Sequence, residues 1–271
     1  MQDTTRIVVL SRLRVVLTGG LGPEDPYAYP QAVAVVMLGA AARRYRIAGA
    51  DHVLDHGHIL LVNPMTAHHA IASATQGGQV LSVSMAPEFV GERVAALRGV
   101  AAARPFGVAR APLSAALRGR AERLAALVVA PGAADAAIAA AAADFAADVL
   151  DAHAAPVDSG GPAFDYRIRR AIQAASGDPS RPATVDGMLA ASELSRSRFF
   201  QLFRECTGLT PQMYIDAHAL DATIDALTRT DAPIADVARA LGFGAAERFA
   251  RYVKRMTGLG PRDLRRAAIR I

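Results

Sequence analysis

Cysteine is almost absent from this sequence, since Cys206 is the only one in 271 residues. A single cysteine excludes an intrachain disulfide and is typical of proteins from a reducing cytoplasm. Lysine is equally scarce, because Lys254 is the only one and the other basic side chains are arginine and histidine. No apolar run approaches the roughly 18 residues of a membrane-spanning helix, and no secretory signal is recognisable. We therefore expect a cytoplasmic protein that does not enter a membrane.

The positive charge is concentrated in the C-terminal part of the chain. Residues 1–162 carry 13 Arg against 13 Asp and Glu, whereas residues 163–271 carry 17 Lys and Arg against 12 Asp and Glu. A basic domain next to a neutral one is expected for a protein that binds a polyanion. The excess is small, however, and a solvated basic surface would explain it equally well.

Turn residues and apolar periodicity divide the chain into two domains. Residues 6–17 and 31–85 contain short aliphatic segments separated by turn residues, which favours a barrel or a sandwich. From residue 87 onward, apolar residues recur at three- and four-residue spacing, which predicts amphipathic helices up to about residue 153. These helices can form a dimer interface or pack on their own barrel. Residues 155–162 read as a linker, so we expect domains at 1–154 and 163–271.

The region after the linker contains an internal repeat with a period of fifty residues. Thr207-Gly208-Leu209-Thr210-Pro211 recurs as Thr257-Gly258-Leu259-Gly260-Pro261, and Phe199 and Phe203 match Phe249 and Val253. Two copies are too few for a solenoid, which needs about three neighbouring units. The repeat therefore predicts two copies of one small helical unit.

Each copy has the pattern of a helix-turn-helix unit, in which two short helices meet at a steep angle. In the second copy, positions 234, 237, 238 and 241 are apolar and form the inner face of the first helix. Gly242 can adopt the positive φ of the turn, and Phe249 and Val253 point inward from the second helix. The polar face of that second helix is then free to enter a major groove.

These residues resemble a known family. The stretch Pro233-Ile234-Ala235-Asp236-Val237-Ala238-Arg239-Ala240-Leu241-Gly242-Phe243, followed by Phe249, Arg251, Lys254-Arg255, Gly258 and Pro261, resembles the signature of the AraC/XylS transcriptional regulators. The resemblance covers about residues 165–268. It implies two helix-turn-helix units joined by a linker helix, each reading one major-groove segment about one DNA turn (~34 Å) apart.

The resemblance also implies which side chains contact DNA. By position in the family's motif, the candidates for base edges are Ser197, Phe200, Gln201, Ala246, Glu247, Arg248 and Arg251. Arginine pairs with guanine, glutamine with adenine, glutamate with cytosine, and an apolar ring with the thymine methyl. The candidates for phosphate contacts are Arg196, Arg198, Arg204 and Lys254. Any single outward arginine can equally be a solvated side chain.

The first unit and the linker helix depart from the family's pattern. Leu189 stands where the family has a small residue, and Glu193 stands where it favours glycine. Asp216, Asp221 and Asp225 make the linker helix acidic. We therefore expect the first unit to pack or bind DNA less conventionally than the second.

The N-terminal half resembles the cupin-like sensor domain common in this family. Leu54 to His69 contains a glycine, an aliphatic strand, an Asn-Pro turn and a histidine pair in the matching order. The resemblance implies a small β-barrel that holds an effector, with His68, His69 and Leu38 as candidate contacts. Apolar strands favour an apolar or aromatic ligand. Arg43 to Ile47 lacks the ligands of metal-binding cupins, so we expect no metal and no cofactor, and a structural role for the histidines stays open.

The predicted fold class is α+β, with an N-terminal cupin-like β-barrel flanked by helices and a C-terminal all-α domain of two helix-turn-helix units. The implied function is a sequence-specific transcriptional regulator, not an enzyme, which binds double-stranded DNA as a homodimer under the control of a small-molecule effector. RNA polymerase is a further expected partner. Two alternatives stay open, namely a constitutive DNA-binding protein whose N-terminal half only dimerises, and a cupin-type enzyme with a basic accessory domain.

Overall fold

The structure of the protein is a computed structural model, which describes residues 5–20, 25–71, 78–98, 104–155, 165–176 and 183–270. The strands are β1 (Arg6–Val9), β2 (Leu13–Thr18), β3 (Ala32–Leu38), β4 (Arg43–Ile47), β5 (Ala50–Leu54), β6 (His58–Val62), β7 (His68–Ile71), β8 (Gln79–Met85), β9 (Arg110–Pro112) and β10 (Ala268–Arg270). The helices are α1 (Pro87–Arg98), α2 (Ala115–Val129), α3 (Asp135–His153), α4 (Tyr166–Ser176), α5 (Val185–Ser192), α6 (Arg196–Thr207), α7 (Pro211–Arg229), α8 (Ile234–Ala240), α9 (Ala246–Thr257) and α10 (Pro261–Ala267).

Two sheets build the N-terminal barrel around a shared core. The larger sheet has the strand order β10-β1-β2-β8-β3-β6-β9, and the smaller one has the order β5-β4-β7. Side chains alternate between the two faces of a strand. In β3, Val33, Val35 and Met37 therefore face the barrel core together with Tyr45 and other residues of the smaller sheet. The intervening residues of β3 face the opposite side.

The helices α1 to α3 cover that opposite face of the larger sheet. The apolar stripe of α3 includes Ile138, Phe145 and Val149, and it is buried in the same cluster as Val15, Val36 and other strand residues. Burying this stripe removes a large apolar area from water, which is the main favourable term in packing a helix on a sheet. The stripe therefore packs on its own barrel and does not provide a free dimer interface.

The C-terminal region is helical and contains two helix-turn-helix units, as the sequence predicts. The first unit consists of α5 and α6 and the second of α8 and α9, and the nineteen-residue helix α7 connects them. Thr210 caps α7 by accepting a hydrogen bond from the Met213 amide at 3.2 Å, and Pro211 follows at the first helical position. Threonine and proline at these positions favour the start of a helix.

Both helix-turn-helix units pack against the barrel. Ile7 and Val9 of β1 are buried among residues of the second unit, and Ala28 is buried among residues of the first. The strand β10, directly after α10, pairs in parallel with β1 through Ile7–Ala268, Val8–Ile269 and Val9–Arg270. The C-terminal domain is therefore helical as predicted, with the exception of residues 268–270, which form a strand. The domain boundaries stay a prediction, because residues 156–162 of the proposed linker lie outside the described ranges.

Candidate DNA-binding surface and effector cavity

The second helix-turn-helix unit is built as its sequence pattern predicts. Gly242 has φ +79° in the turn between α8 and α9, where glycine avoids the strain that a Cβ would cause. Phe249 and Val253 are fully buried on the inner side of α9, and the Phe249 ring centroid lies 5.1 Å from that of Phe243. The Tyr252 hydroxyl donates to the carbonyl oxygen of Asp216 at 2.8 Å and so ties α9 to α7. These contacts fix the angle at which α9 presents its outer face.

The first unit shows the effect of its unusual residues. Glu193, at the position where the family favours glycine, adopts the left-handed conformation with φ +56°. A residue with a Cβ is disfavoured in this conformation by roughly 1–2 kcal/mol. The Glu193 carboxylate also accepts a hydrogen bond from Arg170 at 2.8 Å. Ser195 occupies the N-cap position of α6, but its hydroxyl makes no capping hydrogen bond to that helix.

The outer face of α9 carries exposed cations. Glu247, Arg248, Arg251 and Lys254 are exposed, and Ala246 is half-buried at the start of the helix. Within the described part of the chain, Arg248 and Arg251 form no ion pair. Arginine side chains free of internal partners are available to pair with guanine edges or with phosphates.

Side chains on the outer face of α6 form more contacts within the protein than those on the outer face of α9. The Gln201 amide donates to Glu205 at 2.8 Å, and Arg196 reaches Asp186 at 3.2 Å. The guanidinium of Arg196 also lies 5.4 Å from the ring centroid of the half-buried Phe200. Ser197, Arg198 and Arg204 are exposed. The structure therefore brings together the candidates of each unit on one helix, but it leaves them freer in the second unit than in the first.

A cavity of about 270 Å³ lies inside the barrel and extends to the second helix-turn-helix unit. Its walls combine the aliphatic and aromatic side chains of the barrel core with Ile224, Leu259 and Leu264 of the C-terminal domain. Ligand sites are usually concave and mostly apolar, with a few polar groups that orient the ligand. The cavity has this character, and a molecule inside it would contact both domains.

Tyr27, Tyr29 and His68 form an aromatic cluster in the cavity wall. The His68 ring centroid is 4.4 Å from that of Tyr27 and 6.0 Å from that of Tyr29. Burial raises the pKa of both tyrosines, so their hydroxyl groups stay protonated. His68 Nδ1 lies 2.8 Å from the carbonyl oxygen of Thr66, which can only accept, so Nδ1 carries the proton.

Two arginines from different strands also line the cavity. Arg43 donates to the carbonyl oxygens of Gly19 at 2.6 Å and of Gly78 at 3.1 Å, and these bonds hold it at one end of the barrel. Arg14, on β2, is 8% exposed and donates to Asp221 and Asp225 of α7. These two arginines, Tyr27 and Tyr29 are not among the effector contacts predicted from the sequence. The alternation of β2 and β4 places Arg14 and Arg43 on inward positions, and this was the available signal.

Of the three candidate effector contacts, only His68 lines the cavity. Leu38 lies at the end of β3 and packs against the cluster between the larger sheet and the helices. His69 follows His68 in β7, and successive side chains of a strand point to opposite faces. The assignments of Leu38 and His69 are therefore corrected. Among the described residues, no three His, Cys, Asp or Glu side chains come close enough together to bind a metal ion.

The burial of His68 makes stability depend on pH. Burial, as the largest cause, lowers the pKa of His68 from 6.5 to about 4. Between these values the unfolded chain binds a proton that the folded chain does not, so we expect stability to fall as the pH drops from about 6.5 towards 4. The full loss from this group amounts to about 3 kcal/mol. Urea unfolding at several pH values measures it.

The variant His68→Asn is the control for this titration, because the asparagine amide can donate to the Thr66 carbonyl but does not titrate. His153 and His218 also have lowered pKa values through burial, and their contributions remain in the variant. The difference between wild type and variant therefore isolates His68. An identical pH dependence in the two proteins would contradict the assignment.

Comparison with known proteins supports both halves of this description. A model of the AraC-like ligand binding domain matches residues 42–143, and a model of a helix-turn-helix domain matches residues 188–267. The transcriptional regulator MtrA of Neisseria gonorrhoeae is 26% identical over 102 residues, which are 38% of this chain and 34% of MtrA. The curated relatives thus match over about a third of their own length.

Solved structures of ToxT from Vibrio cholerae share the whole fold. An apo variant has a TM-score of 0.57 at 11% identity, covering 97% of this chain and 98% of ToxT. ToxT bound to (E)-4-(8-methylnaphthalen-1-yl)but-3-enoic acid has a TM-score of 0.55 at 10% identity, with 98% and 99% covered. No described helix of this chain is both long and apolar enough to span a membrane. An AraC-like ligand binding domain followed by a helix-turn-helix domain is the arrangement that the resemblance to the AraC/XylS transcriptional regulators implies, and the two family models match this chain in that order.

Proposed function

We propose that this protein is a sequence-specific DNA-binding transcriptional regulator under the control of a small-molecule effector. The observation that carries the proposal is the pair of helix-turn-helix units on either side of α7, each with an exposed polar helix face. The basic C-terminal half supplies the charge that attracts DNA phosphates, so binding should weaken steeply with salt. A homodimer, a contact with RNA polymerase and a cytoplasmic location belong to the same proposal.

The second unit supplies the firmer base contacts in this proposal. Arg248 and Arg251 pair with guanine, and Glu247 accepts from cytosine, while Ala246 lies close to the base edges. In the first unit, Gln201 pairs with adenine, Phe200 meets a thymine methyl, and Ser197 donates to either kind of base pair. DNA phosphates are bound by Arg196, Arg198 and Arg204 of the first unit and by Lys254 of the second.

The cavity is the proposed effector site, and its apolar and aromatic walls favour an apolar or aromatic molecule. ToxT, which has the same fold, holds an aromatic acid in one of its structures. This cavity favours a regulated protein over the alternative in which the N-terminal half only dimerises. The match to a ligand binding domain and to a helix-turn-helix domain favours a regulator over the enzyme alternative.

Arg251→Ala tests the role of the second unit. If Arg251 pairs with guanine, its loss should weaken binding to the preferred sequence by about 1–3 kcal/mol and relax the preference at one base pair. Selection of bound sequences from a random DNA pool gives the preference, and gel-shift titration gives the affinity. Selection of no consensus by the wild-type protein would contradict the proposed function.

Lys254→Ala is the matched control on the same helix. As a phosphate contact, Lys254 should contribute equally on every sequence, and its loss should reduce the slope of log affinity against log salt by about 1. A uniform loss for Arg251→Ala as well would reassign Arg251 to the phosphates.

A further inference from the structure

The acidic residues of the linker helix α7 are directed at specific cations. The Asp216 carboxylate lies 3.6 Å from Arg255 of α9, within the C-terminal domain. Asp221 and Asp225, one helical turn apart, instead reach across to the barrel and accept from Arg14 Nη2 at 2.6 Å and 3.3 Å. The departure of this helix from the family's pattern thus corresponds to an ion pair between the two domains.

The two aspartates do not use all N–H donors of the Arg14 guanidinium. A guanidinium has five N–H groups, and both aspartates are bound through the same nitrogen, Nη2. Nε and Nη1 are buried and have no hydrogen-bond partner among the described residues. Arg14 also lines the effector cavity. A buried charged group with unused donors favours an anionic acceptor, because charge-assisted hydrogen bonds are the strong ones.

The charges of the ion-pair cluster around Arg14 are already balanced without a ligand. Arg14 is joined by Arg229, whose Nε lies 3.8 Å from Asp225, so two cations face two carboxylates. An additional anion at Arg14 would leave an excess negative charge, and uncompensated charge is costly where water is excluded. The anion and the aspartates therefore disfavour each other. On its other side, Arg14 borders a polar cleft of about 320 Å³, where a displaced aspartate can remain solvated.

We propose that the cavity binds an apolar molecule with a single carboxylate, and that this carboxylate competes with Asp221 and Asp225 for Arg14. The inference rests on the proposed function in one respect, namely that the cavity is the effector site. Because α7 joins the two DNA-reading units, ligand binding then weakens the docking of the DNA-binding domain on the barrel. Such coupling is reciprocal, so any change that weakens the Arg14–aspartate pair strengthens binding of the acid.

The test compares an acid with its uncharged counterpart. The probes are naphthylbutanoic acid and its primary amide, titrated into the full-length protein by calorimetry. We expect the acid to bind at least about tenfold more tightly than the amide, because a charge-assisted hydrogen bond replaces a neutral one. Arg14→Gln should remove this preference while amide binding persists, which also shows that the variant is folded.

Neutral linker-helix variants test the competition itself. The double variant Asp221→Asn/Asp225→Asn should bind the acid about tenfold more tightly than wild type and leave amide binding unchanged. Asp216→Asn, on the same helix but paired with Arg255, is the matched control and should change neither affinity. Equal affinities of acid and amide, or an unchanged acid affinity in the double variant, would overturn the inference.

Domain docking provides an independent readout. Spin labels at Val53→Cys on β5 and Arg262→Cys on α10, in a Cys206→Ser background, report the distance between the domains. We expect the acid to shift this distribution to longer distances and the amide to leave it unchanged, and a distribution unaffected by saturating acid would refute the coupling. Failure of both probes to bind would refute the ligand class, whereas loss of the proposed function would appear separately as DNA binding without sequence preference.

Discussion

Replacing Phe249 with alanine should lower the free energy of unfolding by about 3–5 kcal/mol, the usual cost of removing a buried aromatic side chain. Phe249 is fully buried and joins the inner face of α9 to the core that α7 and α8 share. Its loss leaves a cavity where the two helices of the unit meet. Since a domain is typically stable by only about 5–15 kcal/mol, we expect the second unit to lose its fixed helix angle and most of its DNA affinity.

The repeat offers a matched experiment in the first unit. Phe199 occupies the equivalent position and is also fully buried, so Phe199→Ala should have a similar cost. Lys254→Ala, at an exposed position of α9, should change stability by no more than about 0.5 kcal/mol. Urea unfolding followed by far-UV circular dichroism measures all three variants. A loss of less than about 1 kcal/mol for Phe249→Ala would show that this packing is wrong.

Replacing Gly78 with alanine should destabilise the barrel by about 2–5 kcal/mol, from positive-φ strain of about 1–2 and overpacking of about 1–3. Gly78 has φ +93°, and an added Cβ would lie 2.9 Å from the Ala41 Cβ and 3.2 Å from the Leu38 carbonyl oxygen. The Gly78 carbonyl accepts from Arg43 in the cavity wall. We therefore expect the variant to lose stability and cavity shape together.

Gly49→Ala separates strain from steric conflict. Gly49 has φ +86°, close to that of Gly78, but a Cβ there would meet no atom within 4 Å. Its substitution should therefore cost only the conformational part, about 1–2 kcal/mol. Thermal or urea unfolding of the two variants gives the difference, and equal losses would rule out the contact with Ala41.

Local signals in the sequence were sufficient for most of the fold. The cap at Thr210, the turn glycines Gly208 and Gly242 and the spacing of buried phenylalanines act over a few residues, so each is visible in the chain itself. The same holds for the strand alternation of β4, in which buried and exposed residues alternate. Such patterns place the DNA-reading helices and their outer faces without any long-range information.

The effector site was less accessible to sequence reasoning because its walls come from distant segments. Tyr27 lies between strands, in a stretch without clear periodicity, and an isolated antiparallel bridge to His68 brings the two rings into contact. The family resemblance implies that Leu38 and His69 contact the effector, but strand alternation directs both side chains away from the cavity. A ligand cavity forms where the faces of several elements converge, and the sequence of any one segment does not show which faces will meet.

The sequence by itself determined short strands in the N-terminal half and two helix-turn-helix units joined by a helix, because each depends on periodicity, caps and turns within short stretches, whereas the choice of a barrel over a sandwich came from the family resemblance. Only the tertiary structure decided how the domains meet. It placed β10 beside β1, which are separated by more than 250 residues, and it paired Arg14 with Asp221 and Asp225. Hydrogen bonding and charge pairing at such separations depend on the packing of the whole chain. The acidic residues of the linker helix are therefore explained only by the position of Arg14 on the barrel.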